Sequence, residues 1–191
     1  MRKWLGMSEM SVFECIAARR SVRDFEHKKI PEDAIQKILG AAVQAPSARH
    51  VLPWHFVLIE DEAKLKELSD FVLKKYGAVK GFAARIAFLK GKTVFHDAPL
   101  VVLVVCDENA SNWVKEDAAL AAENAFLTAR ALGIGSCFIG MANSLNDDES
   151  VLRSLALPKG FKVFAALAFG FPKNGVWPEG DKREIKIVKR F

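Results

Sequence analysis

Apolar positions recur along this chain in two periods, one helical and one extended, and their order predicts a mixed architecture. Val12, Phe13 and Ile16 fall on one helical face behind a capping box formed by Ser11 and Glu14, which predicts a short helix over about 12–18. Pro31 is expected at the first position of a second helix, with Glu32 and Asp33 in the first turn and Ala34, Ile35, Ile38, Leu39 and Ala42 as its buried stripe. Two prolines hold the stretch 44–54 extended. A strand over 54–59 and a surface helix over 62–75 follow, the latter with Leu65, Leu68 and Phe71 inward. The run 100–106 is apolar on both faces and β-branched, the pattern of a central strand. A long Ala-rich helix is expected over about 112–132. Its small side chains at 118–125 admit a close neighbour, either in the core or across a dimer. A glycine-rich turn then enters a short strand. Asp147 or Asp148 caps a small helix reaching 155, and 161–169 is a buried strand ended by Gly170-Phe171-Pro172. The tail 175–191 reads as polar and extended, with Ile185, Ile187 and Val188 suited to a final strand.

Two segments resist this reading. Residues 1–10 carry no pattern and are expected to be a partly disordered lead. Residues 76–96 are basic and interrupted by Gly77, Gly81 and Gly91, with a helix expected over 80–89. That segment is either a solvated excursion or a lid over a substrate pocket.

With 191 residues, about half of them apolar, the chain has enough material for one core, and 11–191 is expected to be a single domain. The longest apolar run, 98–106, is too short to span a bilayer, and no secretory leader is legible. These features predict a cytoplasmic protein. Cys15, Cys106 and Cys137 are widely spaced, and His27, His50, His55 and His96 show no i, i+4 pair, so no metal site is expected. The net charge of +5 is concentrated in 19–23, 64–92 and 182–190. It is compatible with nucleic acid and equally with an anionic cofactor.

The chemistry concentrates first at Arg19-Arg20-Ser21-Val22-Arg23, where three guanidiniums and a hydroxyl lie within five residues. Forked arginine donors match phosphate geometry, although such a run alone is most often a solvated face. Ser47 and His50 lie three residues apart, but no acidic partner supports a triad. Gly133-Ile134-Gly135 follows a helix and lacks a third glycine, so it is no dinucleotide fingerprint. It reads as a helix C-cap leading into a strand that passes close to a flat ligand.

Together these stretches resemble the nitroreductase family of FMN-dependent oxidoreductases, from about Phe13 to the C-terminus. Arg19 to Phe25 resembles the family's opening Arg-x-Ser-x-Arg/Lys-x-Phe element. Ala45-Pro46-Ser47-Ala48-Arg49-His50-Val51-Leu52-Pro53-Trp54 resembles its Ala-Pro-Ser-x-x-Asn-x-Gln-Pro-Trp loop, with His50 in place of Asn and Leu52 in place of Gln. Leu132-Gly133-Ile134-Gly135 resembles its Leu-Gly-Leu-Gly turn, and Lys182-Arg183 its C-terminal basic pair. The resemblance implies an α+β, nitroreductase-like fold: a central, mostly antiparallel β-sheet flanked by helices, in a domain-sharing homodimer with FMN at the interface. By the same analogy Arg19 and Ser21 hold the phosphate with Arg183 and Lys182, and Arg20 is expected among the cofactor-binding residues of the same element. Arg23 faces the pyrimidine end of the flavin. Pro46, Ser47, Ala48 and His50 come from the other subunit. Cys137, Phe138, Ile139 and Gly140 run beside the ring and offer backbone N–H groups.

The residue types agree with that analogy. FMN requires a dianion site and a flat apolar slot with donors at one edge, while the cofactor carries the redox chemistry. No acid–base pair is needed for hydride transfer, and none is visible. The implied activity is ping-pong reduction of nitro, quinone or similar electron-poor acceptors by NADH or NADPH. A specialised flavoenzyme of the same family, of dehalogenase or flavin-cleaving type, is the nearest alternative. A basic nucleic-acid-binding protein is a third, but aromatics do not interleave with the basic residues as stacking platforms would. The reading therefore expects a small-molecule partner, no nucleic acid and no membrane.

Overall fold

The computed structural model describes residues 10–77, 89, 91–180 and 183–191. The lead of 1–9, the helix expected over 80–89 (apart from Leu89) and Lys182 lie outside the described residues.

Helix α1 (Val12–Ala18) starts as its capping box dictates: the Glu14 N–H donates to Ser11 Oγ at 3.2 Å and the Ser11 N–H to Glu14 Oε2 at 2.6 Å. Its apolar face points outward, however. Phe13 is 83% exposed, and Val12 and Ile16 are also exposed, while only Cys15 is buried. Helix α2 (Glu32–Ala42) uses Pro31 as its N-cap, one position earlier than expected, and buries Ala34, Ile35, Ile38 and Ala42. Strand β1 (His55–Ile59) leads into α3 (Glu62–Tyr76), which Asp61 caps through the Lys64 N–H at 2.7 Å.

Strand β2 (Leu100–Asp107) organises the interior. Successive side chains of a strand point to opposite faces, so its unbroken apolar run supplies two cores at once. Val101, Leu103 and Val105 pack with Leu65, Leu68 and Val72 of α3. Leu100, Val102, Val104 and Cys106 pack with α2 and with α4 (Val114–Ala131). Each such side chain stabilises the fold by roughly 1.5–3 kcal/mol on burial. The Ala-rich face of α4 is thus a core face: Ala118, Ala121, Ala122, Ala125 and Ala129 are all buried within this chain.

Strands β3 (Gly135–Phe138) and β4 (Phe161–Gly170) complete an antiparallel sheet of order β1-β2-β4-β3, with a bulge in the β2–β4 pairing at Val104/Val105. Between them α5 (Glu149–Ser154) is capped by Asp148. Helix α4 ends in a Schellman motif: the Gly133 N–H donates to the Arg130 carbonyl and the Ile134 N–H to that of Ala129. Gly133 sits at φ 71, so the expected left-handed cap is present. The final strand expected around Ile185, Ile187 and Val188 is absent. The described tail residues 183–191 form no strand, and those three side chains are exposed. An extended segment needs a sheet edge to satisfy its backbone, and among the described residues this one lies on none.

Candidate functional site

Leaving α1, the chain runs alongside the outer edge of β3. A parallel bridge joins Ser21 to Ser136, and the Val22 N–H donates to the Ser136 carbonyl at 2.9 Å. Gly135 makes this approach feasible, because a Cβ there would fall 2.8 Å from Val22 Cγ2. The arginine stretch and the Cys137–Gly140 stretch, more than a hundred residues apart in sequence, are therefore neighbours on one sheet edge.

The three arginines have different surroundings. Arg19 Nε lies 3.1 Å from Glu123 Oε1 of α4, and its guanidinium is 6.0 Å from the centre of the Phe126 ring. Arg20 donates to the carbonyls of Ala17 and Arg19 at 2.8 and 2.6 Å and fills the space beside Gly180, so its fork is engaged with the backbone. Arg23 is exposed and stands on the wall shared by two clefts. The smaller, of about 250 Å³, is bounded by Arg23, Val94, His96 and the run Cys137 to Met141. The larger, of about 530 Å³, is bounded by Ser21, Arg23, Asp24, Lys92, His96 and Lys173, among others. Lys92 Nζ bonds Asp24 Oδ1 at 2.8 Å, and Lys173 approaches the same carboxylate at 3.9 Å.

Cys137 is buried, and burial pushes its thiol pKa up against the pull of Arg23, Ser21 and Arg19. Phe138 is half-exposed towards the smaller cleft, while Ile139 is buried with its N–H committed to the Ala166 carbonyl at 2.8 Å. Gly140 opens the 3₁₀ segment Gly140–Asp147. Arg183 is exposed in the tail and makes no ion pair among the described residues.

Pro46, Ser47, Ala48 and His50 line neither cleft at Arg23. They form a turn whose backbone is unusual: Arg49, His50 and Leu52 have φ of 52°, 57° and 50°. Left-handed backbone is uncommon outside glycine, though His, like Asn, enters it more readily than most. Two side-chain oxygens help hold the turn, Ser47 Oγ accepting from the Leu52 N–H and Asp117 Oδ1 from the Ala48 N–H, each at 2.9 Å. Asp117 is buried on α4, and its Oδ2 has no hydrogen-bond partner among the described residues. Its charge, after burial itself, helps push the Cys106 thiol up to about 12. Within one chain, then, the loop and the arginine stretch are both fastened to α4, at Asp117 and Glu123, but they do not meet in one cleft.

Sequence reasoning did not single out Lys92, His96 or Asp117. His96 is 7% exposed and borders both clefts. Burial first, then the neighbouring Arg23 and Lys92, lower its pKa to about 4, against a smaller opposing effect of Asp97, so the ring is neutral at pH 7.

A sequence model of the nitroreductase family matches residues 16–171, and the chain belongs to that family. A Methanothermobacter thermautotrophicus protein, provisionally named an NADH dehydrogenase/NAD(P)H nitroreductase, is 30% identical across 87% of this chain and 80% of its own length. The crystal structure of a nitroreductase with bound FMN from Bacteroides fragilis matches with a TM-score of 0.81 at 33% identity, covering 94% of this chain and 100% of that one. An FMN-dependent nitroreductase from Clostridium difficile matches equally well, with a TM-score of 0.81 at 27% identity over 95% and 100% of the two chains. The α+β nitroreductase fold expected from the sequence is the fold of this protein.

Proposed function

We propose that this protein is an FMN-dependent oxidoreductase that takes hydride from NADH or NADPH and reduces nitro, quinone or similar electron-poor acceptors. The observation that carries this reading is the bridge between Ser21 and Ser136. It sets the guanidinium of Arg23 beside an apolar slot at one sheet edge, with Ser21 on the adjoining cleft, a cation next to the flat surface that a flavin ring needs. When bound, FMN supplies the two-electron chemistry. Arg19 and Ser21 hold the phosphate, together with Arg183 and Lys182 from the tail, and Arg20 braces the element from its backbone contacts. Cys137, Phe138, Ile139 and Gly140 form the floor under the ring. Pro46, Ser47, Ala48 and His50 reach the ring from a second copy of the chain, which accounts for their distance from the clefts in this one. The protein is accordingly a homodimer with shared sites. Leu52 has no hydrogen-bonding group for the ring and leaves an apolar contact there.

The absorbance spectrum of the protein as purified, followed by anaerobic titration with each nicotinamide, tests the reading. Flavin bands that bleach with NADH or NADPH are expected. A colourless protein that fails to take up FMN but shifts DNA in a salt-sensitive manner would favour nucleic-acid binding instead.

Arg23 tunes the site in this reading. A positive charge held at the pyrimidine edge favours the negative charge that accumulates there on reduction. Arg23→Met keeps much of the length and removes the charge, a loss of about 1–3 kcal/mol for a charge-assisted hydrogen bond. The midpoint potential should fall by roughly 20–65 mV for a two-electron couple, with a smaller effect on oxidised FMN affinity than Arg19→Ala has. An unchanged potential assigns Arg23 to the surface.

A further inference from the structure

We propose that His96 is a ligand-contacting residue of the slot, its imidazole donating a hydrogen bond to an oxygen on the edge of a planar, electron-poor ring held beside Arg23. The inference rests on the flavoprotein reading above and adds a residue to it.

Four observations converge on this side chain. It borders both clefts, as Arg23 does, and so stands where they meet. It is more than nine-tenths buried, yet its ring nitrogens have no hydrogen-bond partner among the described residues. Its backbone is held in an unfavourable state, with His96 at φ 60° and Asp97 at φ 54°. Such consecutive left-handed residues persist only where the surroundings impose them, commonly at functional sites. Here the imposing contacts are explicit. The Thr93 N–H donates to Asp97 Oδ1 at 2.9 Å, the Asp97 N–H to Thr93 Oγ1 at 3.1 Å, and the His96 N–H to the Thr93 carbonyl at 2.9 Å. The turn 93–97 is thus a clamp that fixes the ring at the cleft wall.

The charge state selects the ligand chemistry. A neutral imidazole has one N–H donor and one acceptor, and with Arg23 and Lys92 nearby a further cation is disfavoured. The complementary group is an uncharged or partly negative oxygen, such as a ring carbonyl or a nitro oxygen. Two molecules of the proposed reaction carry one: the flavin ring and the acceptor stacked on it.

The test uses His96→Phe, which keeps an aromatic ring without a donor, and His96→Gln, which keeps an N–H at similar reach. His96→Ala carries the test if the Phe protein melts early. FMN affinity is read by fluorescence quenching on the full-length chain, and KM and kcat with 1,4-benzoquinone on the FMN-loaded protein. A loss of FMN affinity of about three- to tenfold in the non-donating variants, restored in His96→Gln, assigns the bond to the flavin. Unchanged FMN affinity with a three- to tenfold higher KM, kcat held and KM restored by Gln, assigns it to the acceptor. Folded non-donating variants with both quantities unchanged, or a loss that Gln fails to restore, overturn the proposal. A wild-type chain that binds no FMN removes the parent reading, an outcome visible before any variant is made.

Discussion

Arg19→Ala should weaken FMN binding by roughly 2–4 kcal/mol, or about 30- to 700-fold in the dissociation constant. The side chain is 23% exposed and pairs with Glu123, itself half-exposed, at 3.1 Å. A pair this open to water contributes about 0–1 kcal/mol, so an arriving phosphate dianion can displace Glu123 at little cost. The guanidinium then exchanges one weak ion pair for a charge-assisted contact with a doubly charged group, which alanine cannot replace. Glu123→Gln separates the two partners. It frees Arg19 and should leave FMN affinity equal or slightly higher, whereas the alanine variant loses it. Fluorescence titration of both proteins measures the difference. An Arg19→Ala protein with parental affinity removes Arg19 from the phosphate site.

Phe13→Asp should convert a dimer of twice the 21.1 kDa chain mass into monomers, with loss of bound flavin. The exposed apolar side chains explain why. Val12, Phe13 and Ile16 on α1 are joined as exposed groups by Val51 and Leu52 in the loop, Trp113 and Leu120 about α4, and Ile185, Ile187, Val188 and Phe191 in the tail. The three exposed apolar side chains on α1 are the surface we expect a second copy to cover, and each large side chain gains roughly 1.5–3 kcal/mol on burial. We expect an interface of more than ~2,000 Å² in total, the obligate class. An aspartate at position 13 would bury an unpaired charge there, which desolvation strongly disfavours. Light scattering at micromolar concentration reads the mass. A wild-type monomer that retains its flavin would contradict both the dimer and the sharing of the site between chains.

What the sequence determined by itself was largely what depends on a few consecutive residues. The capping box at Ser11 and Glu14, the left-handed glycine at 133 and the unbroken apolar run of β2 each act through neighbours, so their patterns predict the observed elements. The family resemblance likewise rested on short, ordered motifs. Tertiary structure decided the rest. The outward turn of α1 was illegible because amphipathicity says that a face is apolar, not what covers it. The missing strand at 185–188 has the same origin: β-propensity needs an edge to pair with, and that edge is set by the fold or by another chain. The meeting of Arg23 with Cys137 depends on a bridge between residues more than a hundred positions apart. His96 and Asp117 owe their significance to burial, which sums contributions from elements distant along the chain. Local periodicity carries no record of that sum, so a lone histidine before an Asp-Ala-Pro turn is unremarkable in sequence. Only the packed molecule places it, neutral and without a partner among the described residues, on the wall of the clefts.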